Sequence, residues 1–157
     1  MSNISHYGKI DEGALLPAFC QKGCPALSFL SKFPAGMKLG KELVKLIGAA
    51  YIHIPFCTHI CHYCDFNKVF LKGQPVDEYL DALKKEMEMT LAEHPAPPLK
   101  SVFVGGGTPT SLNEDQLEKL CRIIVETLPV SNGAEFTFEA NPGDLTEEKG
   151  KILHSYG

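Results

Sequence analysis

The sequence predicts an α/β fold with parallel strands, and three observations carry that prediction. Strand-like and helix-like segments alternate three times between Ala49 and Gly157. Such alternation implies parallel strands joined by right-handed crossovers. The strand-like segments are short and either apolar throughout or strictly alternating, as buried and half-buried strands are. A motif able to do chemistry follows each of them: three cysteines after the first, three glycines after the second, and Glu139-Ala140-Asn141-Pro142 at the close of the third. In parallel α/β folds, chemistry gathers at the C-terminal ends of the strands, so these motifs are expected on one edge.

The elements follow in order. Residues 1–47 show weak periodicity and scattered Gly and Pro, and are expected to form an irregular extension, foreign to the fold at least over residues 1–36. Cys20 and Cys24, in CQKGC, leave open a short helical segment or a second metal site. Met37 is a candidate alternative start, and limited proteolysis is expected to remove what precedes it. The regular domain spans 48–157. Ala49–Ile54 reads as a buried strand leading into the cysteine loop. Val76, Tyr79, Leu80, Leu83, Met87 and Leu91 recur at helical spacing, punctuated by Pro75 and Pro95. Ser101–Val104 is a short strand that runs into Gly105, Gly106 and Gly107.

Asn113 followed by Gln116 is a capping-box pattern. Behind it, Leu117, Leu120, Cys121, Ile124, Val125 and Leu128 form one apolar face, on which Cys121 is core filler. Phe136, Phe138 and Ala140 alternate with Glu135, Thr137 and Glu139 at strand period. Thr146 then caps a last helix, in which Gly150 costs about 1 kcal/mol relative to Ala.

Composition narrows the function. The chain has 157 residues, is 44% hydrophobic and 22% charged, and fits one soluble domain with an ordinary core. Its net charge is −4 and Arg122 is its one arginine, so it lacks the basic stripe of a nucleic-acid binder. No apolar run reaches the roughly 18 residues of a membrane span, and the start, MSNISHYGKIDEG, has no signal-peptide pattern. Six cysteines in that context are expected in a reducing cytoplasm rather than in disulfides.

The run YIHIPFCTHICHYCDF places Cys57, Cys61 and Cys64 at C-x3-C-x2-C spacing. Soft thiolates suit iron–sulfur clusters and zinc. Three are one too few to close a tetrahedral zinc site or a four-iron cluster. Three readings stay open: a four-iron cluster with one iron free for a chelating substrate, a zinc site completed by His59 or His62, or three unligated thiols. His53 lies on the strand and is expected as a hydrogen-bonded group, with Tyr51 on its face; Tyr63 and Phe66 are expected to pack beside the metal and exclude solvent. The run VGGGTPT lets backbone approach a ligand, with turn amides able to face an anionic or carbonyl group, although a plain strand-to-helix turn is an equal reading. It is not a P-loop, because no Lys-Ser or Lys-Thr pair follows. Glu139 is either a holder of ribose hydroxyls or a solvated strand-end carboxylate.

In combination, HIPFCxxxCxYC, GGGTPT and FEANPGDLT resemble the radical S-adenosylmethionine superfamily. More narrowly, they resemble the family of oxygen-independent coproporphyrinogen III oxidases and HemW-type heme chaperones. The resemblance implies a partial TIM-like (βα) barrel of about six units, of which residues 49–157 hold the first three. It implies a 4Fe–4S cluster on Cys57, Cys61 and Cys64, with S-adenosylmethionine chelating the fourth iron. By motif position, Tyr51, Gly106, Gly107, Thr108 and Glu139 are implied cofactor contacts, with Tyr63 at an adjacent contact position. The implied chemistry is one-electron cleavage of the sulfonium to methionine and a 5′-deoxyadenosyl radical, with an electron donor such as flavodoxin or ferredoxin.

True oxidases tend to carry a further cysteine where this chain has Phe66, which points to the heme-chaperone branch and to heme as a ligand of the full-length parent. Porphyrinogen oxidation and a zinc-binding structural domain are the competing classes. The remaining barrel units and C-terminal domain of the family are not in this sequence, so it is expected to behave as a fragment with little porphyrin-related turnover.

Overall fold

The structure is a computed structural model that describes residues 48–157; the expectations for residues 1–47, including Cys20, Cys24 and Met37, lie outside the described residues. Three strands form one parallel sheet in the order β1-β4-β5: β1 (Ala49–Ile54), β4 (Leu99–Gly106) and β5 (Val130–Phe138). Each is followed by a helix: α1 (Val76–Glu93), α2 (Glu114–Thr127) and α3 (Glu147–Tyr156). This is the βα alternation that the sequence predicts, repeated three times. Between β1 and α1, β2 (Phe56–Cys57) and β3 (Val69–Phe70) pair in parallel and close the base of the cysteine loop.

The helices cover one face of the sheet. Ile52 and Ile54 of β1, with Val102 and Val104 of β4, pack in one buried cluster with Leu80, Leu83 and Met87 of α1 and Leu117, Leu120 and Ile124 of α2. Full burial of each such side chain is worth about 1.5–3 kcal/mol. Alternate residues turn the other way, because strand side chains have period two. Tyr51, His53, Phe103 and Gly105 therefore share the opposite face, where Tyr51 and Phe103 stack at 5.9 Å.

Local signals account for most boundaries. Asn113 and Gln116 form the reciprocal capping box, and the Thr146 side chain accepts from the Lys149 amide. Pro75 precedes α1 and Pro95 follows it. Cys121 is fully buried in the core.

Four details differ from the sequence reading. β4 extends to Leu99 and Gly106, because glycines keep both ladder groups and pair with His53 and Ile54 of β1. β5 begins at Val130, where a register shift and a left-handed Gly133 (φ 77°) interrupt the alternation. It ends at Phe138, so Glu139 and Ala140 lie just beyond the strand. On α2, Ile123 is buried while Val125 is 37% exposed. That helix touches both α1 and α3, so its buried arc turns toward Ile123 and leaves Val125 at the margin.

Candidate metal and cofactor site

The three motifs meet at the C-terminal edge of the sheet. The glycine run leaves β4 beside the end of β1: the Gly107 amide donates to Ile54 O (2.8 Å) and the Thr108 amide to Phe56 O (2.8 Å). A Cβ on Gly107 would stand 2.6 Å from Phe56 O and 2.7 Å from the Pro55 carbonyl carbon, so only glycine permits this approach. Gly106 has φ 116°, and a Cβ there would strike the His53 ring at 2.5 Å. Gly105 lies so close to Glu139 that a Cβ would meet its carboxylate at 2.7 Å.

The amides of this turn are already committed. Gly106 N–H donates to Glu139 Oε2 at 2.8 Å, and those of Gly107 and Thr108 donate to backbone carbonyls. The expectation that the amides face an anionic or carbonyl ligand is therefore corrected: the Glu139 carboxylate and the carbonyls of Ile54 and Phe56 take up the donors. The polar group presented beside the glycines is the Glu139 carboxylate, an acceptor that suits hydroxyls or a cation. Glu139 also acts on Tyr51, whose phenol is raised above its usual range chiefly by burial and further by that carboxylate.

His53 is the hydrogen-bonded strand histidine that its position predicts. Its Nε2 lies 2.8 Å from Asn67 O and its Nδ1 3.0 Å from Tyr51 Oη. Asn67 O can only accept, so Nε2 carries a proton and donates to it; in the Nε2-H tautomer Nδ1 is an acceptor for the Tyr51 hydroxyl. One histidine thus fixes both the Tyr51 hydroxyl and the returning leg of the cysteine loop. Tyr79 ties α1 to the same place by donating to His53 O at 2.7 Å.

Within the loop, Cys57 is buried and Cys61 and Cys64 are half-buried; all three are free thiols. Burial is the main influence on the Cys57 thiol and raises its pKa; the Thr108 hydroxyl lowers it, Cys64 and Cys61 raise it, and Lys68 lowers it. Cys61 and Cys64 thus lie near enough to Cys57 to act on it. Among the described residues, no three His, Cys, Asp or Glu side chains converge on a common metal-binding point. The donor set itself, soft thiols with Thr108 Oγ1 3.8 Å from Cys57 Sγ, fits an iron–sulfur cluster. Lys68 donates to the carbonyls of Cys64 and Phe66 and folds the loop back on itself.

Tyr63 and Phe66 do not exclude solvent here. Tyr63 is 87% exposed and Phe66 is also open, because no apolar element of the described residues reaches that side of the loop. Tyr63 stays beside the Cys61 thiol, whose hydrogen bond and charge raise its phenol. Of the implied contacts, Tyr51, Gly106, Gly107, Thr108 and Glu139 come together and Tyr63 stands apart. Three residues that the sequence reading gave no role join them. Asn141 Nδ2 donates to Thr108 Oγ1 at 3.3 Å, Asn141 N–H donates to Thr110 Oγ1 at 3.3 Å, and the buried Lys149 donates to Thr110 O at 2.8 Å. A lysine among polar residues in a first helical turn gives no sequence signal for burial; Asn141 was visible only as part of the strand-end motif.

A parallel βα sheet whose strand ends carry three thiols, a glycine turn and an acceptor carboxylate belongs to a defined class: the Radical SAM superfamily profile matches residues 51–157, and the chain belongs to that superfamily. Membership implies a 4Fe–4S cluster and S-adenosylmethionine as cofactors. Among curated relatives, the heme chaperone HemW of Bacillus subtilis (strain 168) is 61% identical over 110 residues, covering 69% of this chain and 29% of that protein. The heme chaperone HemW of Escherichia coli (strain K12) is 39% identical over 100 residues, 63% of this chain and 26% of that protein. The oxygen-independent coproporphyrinogen III oxidase of the same strain is 34% identical over 96 residues, 60% of this chain and 21% of that protein. In solved structures, coproporphyrinogen III oxidase (HemN) from Escherichia coli, described as a radical SAM enzyme, superposes with a TM-score of 0.63 at 31% identity, covering 71% of this chain and 26% of that one. The chain spans less than a third of the length of these relatives. No helix among the described residues is long and apolar enough to cross a membrane.

Proposed function

We propose that this chain forms the cluster- and cofactor-binding part of a HemW-like heme chaperone, which binds heme and delivers it to respiratory enzymes. Cys57, Cys61 and Cys64 hold a 4Fe–4S cluster, and Tyr51, Gly106, Gly107, Thr108 and Glu139 receive S-adenosylmethionine, with Tyr63 at the loop rim. The observation that carries this reading is the meeting of three strand ends, with Thr108 on Cys57 and Glu139 on Gly106. When bound, the cluster supplies one electron to the sulfonium of the cofactor. The chain's own residues do the rest. Cys57 anchors the loop in the core, the glycines let backbone approach, and Glu139 offers an acceptor.

The chaperone branch is supported by 61% identity to a HemW against 34% to an oxidase, and by Phe66 where true oxidases tend to carry cysteine. Coproporphyrinogen oxidation is the second reading, favoured by the structural likeness to HemN. A flavodoxin or ferredoxin is the expected electron donor, and the cytoplasm the expected location.

The test is anaerobic reconstitution with iron and sulfide, then EPR of the reduced protein with and without S-adenosylmethionine. A cluster signal that shifts on adding the cofactor is expected. Single Ala variants of Cys57, Cys61 and Cys64 should lose the cluster, while Cys121→Ala keeps it. Zinc in place of iron, an unshifted signal, or a cluster retained without Cys61 overturns the reading. For the full-length protein, stoichiometric heme binding without coproporphyrinogen consumption selects the chaperone over the oxidase.

A further inference from the structure

Thr108 has one hydroxyl proton, and two neighbours decide where it goes. Oγ1 lies 3.8 Å from Cys57 Sγ and 3.3 Å from Asn141 Nδ2. An amide nitrogen only donates, so Asn141 occupies a lone pair of Oγ1 and leaves the hydroxyl proton for the sulfur. The amide cannot be reversed. Its nitrogen also donates to Asp144 Oδ2 at 3.2 Å, and a flip would set the amide oxygen against that carboxylate.

The turn that carries Asn141 is itself pinned. Asn141 N–H donates to Thr110 Oγ1, and Asp144 N–H donates to Asn141 O at 3.0 Å. Lys149, only 8% exposed, donates to Thr110 O at 2.8 Å and to Asp144 O at 3.1 Å. Thr108 is 6% exposed, so water competes poorly for its hydroxyl. A continuous hydrogen-bonded path therefore runs from α3 through the Asn141 turn to the sulfur of Cys57.

We propose that Asn141 is a positioning residue for the cluster: by holding the Thr108 hydroxyl as a donor to the Cys57 sulfur, it raises the cluster's reduction potential. The proposal rests on the assignment of Cys57 as a cluster ligand made above. The physical ground is charge. A reduced cluster is more negative than an oxidised one, so a donor on a ligand sulfur stabilises the reduced state more.

The experiment is a redox titration of the reconstituted protein, followed by EPR, with iron and sulfide content measured for every variant. Thr108→Val, which removes the hydroxyl at constant shape, and Asn141→Ala should both shift the midpoint to more negative values. Thr108→Ser, which keeps the hydroxyl, should hold the wild-type potential. Asn141→Asp presents an acceptor to Thr108 and draws the proton away from sulfur, so it should shift the midpoint more in wild type than in the Thr108→Val background. Equal shifts in the two backgrounds would mean a plain charge effect and overturn the proposal. Should Thr108→Val fail to fold, Asn141→Ala decides alone, and an unchanged potential overturns the proposal. Failure of the wild-type chain to assemble a cluster overturns the ligand assignment and this inference together. An assembled cluster with unchanged potentials overturns this inference only.

Discussion

The glycine corner and the cysteine loop meet at Cys57, and they are held in opposite ways. In the corner, every amide from Gly106 to Thr108 has a partner within the chain, and Asn141 and Lys149 bind the adjoining turns from behind. In the loop, order is concentrated at the base, where Val69 N–H donates to Pro55 O and Leu71 N–H to Cys57 O. Beyond that base, Cys64 N–H reaches Cys61 O, Lys68 draws in two carbonyls, and Ile60, Tyr63 and Phe66 stand in solvent. The corner derives its shape from the protein alone. The loop offers three thiols, a set that a metal centre, if bound as proposed, would organise. Preorganisation on one side and ligand-assisted order on the other is a consistent way to build a site from two strand ends.

Thiol chemistry should separate these environments most widely. Cys61 and Cys64 are half-buried in the loop, whereas Cys121 is fully buried on α2. At pH 8, iodoacetamide should modify the loop cysteines of the metal-free protein while Cys121 reacts only through unfolding, a difference of roughly a thousand-fold or more. Mass spectrometry of timed aliquots reads it, and equal rates would break the comparison. Burial pushes the Cys121 thiol up to about 12 from an ordinary 9.0. The unfolded thiol therefore ionises first. The stability that Cys121 contributes is full below pH 9 and is lost as pH rises from 9 toward 12. Denaturation midpoints of Cys121→Ala should fall less steeply across that alkaline window than those of the wild type.

Damage to the corner should be the next largest effect. Gly107→Ala drives a Cβ into the Pro55–Phe56 backbone, which cannot move aside as a flexible side-chain tip could. A loss of about 3 kcal/mol is expected, at the upper end of overpacking costs. Urea denaturation measures it, and a change below about 0.5 kcal/mol, the level of an ordinary surface substitution, would show that the corner is not rigid.

Lys149→Met should cost somewhat less, about 2 kcal/mol. It removes two charge-assisted hydrogen bonds and leaves the carbonyls of Thr110 and Asp144 with fewer donors. The loss should be smaller than for Gly107→Ala because the methionine stem fills most of the same space. Thermal denaturation of the two variants side by side fixes the order, and a neutral Lys149→Met would place the anchor of the corner elsewhere.

Much of this could be read along the chain. The bounds of β1, the capping box of α2 and the Thr146 cap of α3, the burial of Cys121 and the parallel βα order all follow from periodicity and from residues a few positions apart. The start of β5 was hidden because Ser131, Asn132 and Gly133 are residue types that strands disfavour, while in the fold they form an irregularity within a strand. The β2–β3 pair was hidden because two residues make no period. Tyr63 was expected to pack beside the metal, yet exposure depends on what lies opposite it, which no local pattern encodes.

The sequence by itself determined the class of the site. Three cysteines at fixed spacing, a glycine turn and an acidic strand end are chemical identities, set by residue type and covalent order. Tertiary structure alone decided how those groups are deployed. Parallel registers bring Thr108 to Cys57 across 51 residues and Asn141 to Thr108 across 33, and the Ile54 carbonyl and the Glu139 carboxylate take up the glycine amides that the sequence offers to a ligand. The physical reason is that a backbone donor or a hydroxyl proton has one destination, and that destination is set by whichever acceptor the ladder brings within about 3 Å.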